Sequence, residues 1–78
     1  MPCYYVDTFN SIVVHDDVGH DVADLPALRK LVRQSLAAMM RDEKDGRHSV
    51  QLRADVRDDT GHMVMTASLL MVIEEIAR

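Results

Sequence analysis

The apolar residues between Asp24 and Gly46 recur every three or four positions, which is the spacing of one buried face of an α-helix. Asp24 suits the N-cap because its carboxylate can accept hydrogen bonds from the first free backbone amides. Pro26 falls in the first turn, where a missing N–H is harmless. Asp45 and Gly46 predict the helix end, with Gly46 in a left-handed conformation. The apolar stripe consists of Leu25, Leu28, Leu31, Val32, Leu36, Met39 and Met40.

Strand patterns lie on both sides of this helix. The segment from Cys3 to Phe9 is rich in aromatic and β-branched residues, Asn10 and Ser11 form a turn, and residues 12–14 resume a strand that ends at the turn 16–19. After the helix, residues 50–57 alternate strictly between apolar and polar, and residues 58–61 predict a type I turn with a glycine bulge. The expected fold is α+β: a ββαββ domain over residues 1–78, with a four-stranded antiparallel sheet and one helix packed on one face.

The register of the last strand has two alternatives. If the turn pairs Asp58 with His62, the face of Val56 is continued by Val64, Thr66, Ser68 and Leu70. A slip of one residue continues it instead with Met63, Met65, Ala67 and Leu69. Residues 67–73 are apolar on both faces of a strand, and residues 69–76 also fit a short terminal helix.

The length of 78 residues favours self-association. A chain of this size buries only roughly 63% of its unfolded surface, so apolar burial barely offsets the entropy of ordering. A strand that is apolar on both faces is either covered twice or forms an interface. We therefore expect a homodimer that forms through the sheet or the C-terminal strand. The predicted interface residues are Met63, Met65, Leu69, Leu70, Met71, Val72 and Ile73.

Composition and motifs disfavour several functional classes. The net charge of -4 disfavours nucleic-acid binding, and no apolar run is long enough to span a bilayer. The N-terminus lacks a signal-peptide pattern, and the single Cys3 suits a reducing cytoplasm. No phosphate-binding loop or nucleophile motif is present, so we expect neither an enzyme nor a cofactor.

Histidines beside acidic residues are the candidate metal ligands. His15 precedes Asp16 and Asp17, and His20 precedes Asp21, so nitrogen and oxygen donors lie close together in the sequence. No spacing fixes two of these side chains on one rigid face. We therefore interpret them as solvated turn residues and predict no metal site.

The order of the turn and cap motifs resembles a family of short alphaproteobacterial proteins catalogued only as a domain of unknown function. The shared motifs are Tyr4-Tyr5, the turn 16–19, the helix start at Val22, Asp24 and Leu25, and the hairpin 56–61. The resemblance implies the fold and a bacterial cytoplasmic setting, but no activity. The usual glycine of the first hairpin is replaced here by Asn10-Ser11.

The step Asp24-Leu25-Pro26 is also similar to that of HicB-type antitoxins, although Ala27-Leu28 stand where that family has glycines. This second similarity implies an alternative function, an antitoxin-like regulator that binds a basic toxin. The leading hypothesis is a small cytoplasmic, non-catalytic interaction module with a protein partner, most simply a second copy of itself.

Overall fold

The computed structural model describes residues 2–44 and 46–77, and these residues form one helix and five strands. In chain order the elements are β1 (Cys3–Asn10), β2 (Ile12–Val14), β3 (His20–Asp21), α1 (Leu25–Arg41), β4 (Ser49–Asp58) and β5 (Met63–Val72).

All strand pairs are antiparallel, and the sheet has the order β2-β1-β4-β5. The predicted α+β fold is confirmed, but the described part of the chain has five strands rather than four. The additional strand, β3, forms because the chain returns to β1 after the turn at Gly19, where His20 pairs with Tyr4. Strands β2 and β3 therefore share one edge of the sheet, and β5 forms the other.

The hydrophobic core lies between α1 and β4. Strand β4 contributes every second side chain to it, as its alternating sequence predicts, while β5 contributes side chains that are only partly buried. The helix thus covers the middle of the sheet fully and the β5 edge only in part. The buried residues are Val6, Val22, Leu28, Val32, Leu36, Val50, Leu52, Ala54 and Val56.

The helix begins where the sequence predicts but ends earlier. Asp24 is the N-cap, and its Oδ1 accepts a hydrogen bond of 2.9 Å from the Ala27 amide. The prediction of an end at Asp45 and Gly46 is wrong, because α1 ends at Arg41. Acidic side chains at Asp42 and Glu43 are unfavourable beside the negative end of the helix dipole. Gly46 does have a positive φ of 65°, whereas Asp45 lies outside the described residues. No described helix is long and apolar enough to cross a membrane.

A β-bulge decides the register of β5. The turn pairs Asp58 with His62 as predicted, through a 2.8 Å bond from the Asp58 amide to the His62 carbonyl. The register then shifts by one residue next to Arg57, which pairs with Met63, while Val56 pairs with Met65. The bulge therefore reconciles the predicted turn with the more apolar register. The side chains that this places against the core are Met65, Ala67, Leu69 and Met71.

The alternative of a terminal helix over residues 69–76 is wrong. Strand β5 continues to Val72, and residues 73–77 have no regular secondary structure. The Ile73 amide still donates a 2.6 Å hydrogen bond to the His48 carbonyl, so the β4–β5 pairing continues one residue beyond Val72.

Candidate interaction surface

Strand β5 forms a long, uncharged edge of the sheet. Its ten residues contain no charged side chain, proline or glycine, and among the described strands it pairs only with β4. The Ile73 amide points toward β4, and backbone direction alternates along a strand. Counting back from Val72, every second residue therefore presents its backbone N–H and C=O to the open side of β5. We call these groups the free edge; they belong to Val64, Thr66, Ser68, Leu70 and Val72.

The opposite edge of the sheet is interrupted and charged. Between the short strands β2 and β3 the Asp16 carboxylate replaces a strand neighbour, because it accepts a 3.0 Å hydrogen bond from the Val6 amide. The same carboxylate accepts bonds from the amides of Val18 and Gly19, both of 3.0 Å. Short edge strands and charged side chains prevent pairing with another chain. The β5 edge has neither of these protections.

Six of the predicted interface residues lie on the two faces of β5, and the seventh, Ile73, follows its last residue. Met65, Leu69 and Met71 are half-buried and pack against the core beneath α1. Met63, Leu70, Val72 and Ile73 are exposed, and Leu70 leaves 62% of its surface uncovered. Both groups flank the free edge.

A shallow groove runs between α1 and β5 because the helix does not cover the edge strand. One stretch, of about 300 Å³, is lined by Val32, Arg33 and Leu36 from the helix and by residues 67–69 from the strand. An adjoining stretch of about 270 Å³ includes Arg29. The groove has an apolar floor and a cationic rim.

The helix α1 carries unpaired positive charge. Residues 25–41 include four basic residues and no acidic one. Arg29, Lys30 and Arg33 are exposed, and within residues 2–44 and 46–77 none of them has an ion-pair partner. The cationic side chains on this face therefore remain available.

The sheet face opposite the helix carries a network of ion pairs. Arg57 Nε lies 3.0 Å from Asp7 Oδ2, its Nη2 donates to the Asp16 carbonyl at 2.8 Å, and its guanidinium lies 4.7 Å from the centre of the Tyr5 ring. The hydrogen bond from Arg57 holds the pKa of Asp7 below its ordinary value. Burial by itself raises the pKa of Asp16, but the amides of Gly19, Val6 and Val18 outweigh it and lower that pKa. Both carboxylates are ionised and hydrogen-bonded at neutral pH.

A second pair on this face links β4 to β5. Arg53 Nη2 lies 2.7 Å from Asp55 Oδ2, and Thr66 Oγ1 donates to Asp55 Oδ1 at 2.8 Å. These bonds lower the pKa of Asp55, with Arg53 as the larger cause. Sequence reasoning missed the Asp7–Arg57 and Asp55–Thr66 contacts. Only the strand register brings these residues together, although alternation does place Arg53 and Arg57 on the polar face.

Two of the candidate metal ligands lie beside the carboxylates of this face. His20 Nε2 lies 3.3 Å from Asp16 Oδ2, and His15 Nδ1 lies 3.7 Å from Asp7 Oδ1. Within the described ranges, no group of three or more histidine, cysteine and acidic residues is arranged to hold a metal ion. Cys3 is half-buried beside Tyr5, and their hydrogen bond raises the pKa of the Tyr5 hydroxyl.

Comparison with known proteins places the chain in a family. Residues 3–70, which include every helix and strand described above apart from the end of β5, match DUF6894, a domain of unknown function. No curated protein and no solved structure matches the chain. No comparison links it to the HicB-type antitoxins, so that similarity stays a prediction. The match confirms the predicted resemblance to a domain of unknown function, and the chain belongs to the DUF6894 family.

Proposed function

We propose that this protein is a non-catalytic interaction module that forms a homodimer by antiparallel pairing of β5 with β5 of a second copy. One observation carries the proposal: β5, which bears the free edge, is ten residues long, uncharged and unprotected, whereas the other edge of the sheet is blocked. A flat apolar edge strand is a template for the addition of another strand.

The spacing of the free backbone groups selects one register. The five outward-pointing residues are symmetric about Ser68, so a two-fold axis at Ser68 pairs all of them. A shift by one residue places each outward-pointing residue opposite a residue of the second copy whose backbone groups point toward that copy's β4. A shift by two residues leaves one outward-pointing residue of each copy without a partner. In the selected register Thr66 lies opposite Leu70 of the second copy, and Val64 lies opposite Val72.

Side chains on the helix side are complementary in this register. Ala67 lies opposite Leu69 of the second copy, so a small side chain meets a large one, and Met65 lies opposite Met71. These apolar groups extend the floor of the groove beside α1. Cross-strand apolar pairs of this kind each contribute roughly 0.2–1 kcal/mol.

The large exposed surface of the single chain supports the proposed dimer interface. The chain exposes 5876 Å², whereas a compact monomer of its mass exposes about 4,800 Å². Its radius of gyration of 14.6 Å also exceeds the value of about 11.5 Å for a compact domain of this length. The excess of about 1,100 Å² is comparable to the roughly 800 Å² that each partner buries in a standard interface.

The electrostatics support the non-catalytic part of the proposal. General acids need raised carboxyl pKa values, and nucleophiles need an adjacent base. The pKa shifts of Asp7, Asp16, Asp55 and Asp58 are all downward, and hydrogen bonds hold these side chains in place.

Sedimentation equilibrium from submicromolar to hundred-micromolar protein tests the dimer. We expect a reversible monomer–dimer equilibrium, and a strictly monomeric species over the whole range would refute it. The Ser68→Lys variant places two ammonium groups opposite each other at the axis and should weaken the dimer. The matched control, Gln51→Lys, adds the same charge to the same exposed face on β4 and should leave the equilibrium unchanged.

A further inference from the structure

We infer that the dimer contains a binding site for a phosphate-class oxyanion on its two-fold axis, formed by Arg33 and Arg29 of both copies. The inference rests on the proposed dimer. It adds a ligand class to the helix side of that dimer.

Strand pairing brings the two arginine pairs together. Directly opposed residues of an antiparallel pair project to the same face, so both α1 helices lie on one side of the continuous sheet. Arg33 and Ser68 line the same stretch of the groove. An axis at Ser68 therefore passes between Arg33 of one copy and Arg33 of the other, and each Arg29 lies one helical turn away.

The helices leave a slot above the axis. Because α1 lies over β4, three strand spacings separate the two helices, which is about 14 Å. Helices in direct contact are only about 8–10 Å apart. The remaining gap is too narrow for another helix, but long arginine side chains can extend into it with a small anion between them.

The charge of the slot has no internal compensation. The helix contains no acidic residue, and Arg29 and Arg33 have no ion-pair partner within the described residues. Asp7 and Asp55 lie on the other face of the sheet, where they pair with Arg57 and Arg53. Four guanidinium groups around one slot repel each other unless an anion lies among them. The planar guanidinium binds phosphate through two parallel hydrogen bonds, which favours a phosphate dianion over chloride.

Dimer dissociation constants in sodium phosphate and in sodium chloride of equal ionic strength test the site. A ligand that binds only the dimer, present at about ten times its Kd, should tighten dimerisation about tenfold. Arg33→Gln should abolish the difference between the two salts. The matched control, Lys30→Gln, removes the same charge from a helix residue that does not line the groove beside β5, and it should preserve the difference.

Each result decides the inference. A dimer of equal strength in both salts, or loss of the phosphate effect in both variants, overturns the anion site and leaves the dimer standing. A monomer in every buffer overturns the dimer and the site together. A short single-stranded oligonucleotide that tightens the dimer at lower concentration than phosphate supports the site and identifies a phosphodiester as its source. Tightening by hexaglutamate but not by phosphate overturns the inference in favour of an acidic protein partner.

Discussion

Replacing Ser68 with proline separates dimerisation from folding. The Ser68 N–H points away from β4, so its loss removes no bond of the β4–β5 ladder. Proline is tolerated on an edge strand when its missing N–H faces outward. At the proposed axis, Ser68 of each copy donates to the Ser68 carbonyl of the other, so the dimer loses two hydrogen bonds.

The expected magnitude follows from these two bonds. Each contributes about 1 kcal/mol net, so the dimer weakens by about 2 kcal/mol, or about 30-fold in Kd. Sedimentation equilibrium measures the change, and far-UV circular dichroism checks that the monomer keeps its fold. Ala67→Pro is the contrast, because it removes an N–H that points toward β4 and should destabilise the monomer itself. An unchanged Kd in Ser68→Pro would refute the pairing of the free edge.

Three further predictions concern the turns and the sheet edge formed by β2 and β3. Asp16→Ala should lower the free energy of unfolding by about 2 kcal/mol in urea denaturation, because it leaves the Val6 amide without an acceptor. An unchanged urea midpoint would show that water replaces the carboxylate as the acceptor. The folded-state pKa values of Asp7 and Asp16 are lowered, so their contribution to stability is complete at neutral pH and is lost as pH falls below about 5 and through those folded-state values. The Tm should therefore fall in that pH range, and it should fall less steeply in Asp16→Asn. A Tm independent of pH down to 3 would contradict this linkage. Gly19→Ala should destabilise the protein more than Gly61→Ala, although both positions have positive φ. A Cβ at Gly19 would lie 2.7 Å from the Cys3 sulfur, whereas the space at Gly61 is open. Equal decreases in Tm in thermal unfolding would count against close packing of the turn at Gly19.

Local chemistry predicts much of the fold. The Asp24 cap, the alternation of residues 50–57 and the glycine turn at Gly61 each depend on neighbours within a few positions, and all three are confirmed. The apolar pattern and Gly46 alone place the end of the helix too late, because the acidic side chains of Asp42 and Glu43 are unfavourable at a helix C-terminus.

The sequence pattern does not predict which residues far apart in the chain contact each other. The turn favoured one register of β5 and the apolar pattern favoured the other, and the bulge beside Arg57 satisfies both. The sequence predicts a turn at Asp16 but not that its carboxylate accepts a hydrogen bond from the Val6 amide, ten positions earlier in the chain. The outward direction of the Ser68 backbone, on which the proposed dimer depends, follows from the hydrogen bond between Ile73 and His48 and not from the sequence pattern.

Disulfide trapping at the proposed axis tests the central claim most directly. In a Cys3→Ser background, Ser68→Cys brings two cysteines together at a hydrogen-bonded pair with Cα atoms about 5.5 Å apart, within the range of a disulfide. Two cysteines introduced by Thr66→Cys would lie four residues apart along the paired strands, about 13 Å, which is too far to bridge. We predict rapid covalent dimer formation by Ser68→Cys under mild oxidation of dilute protein, and little by Thr66→Cys. Equal trapping of both variants, or of neither, would contradict the pairing of β5 with its copy.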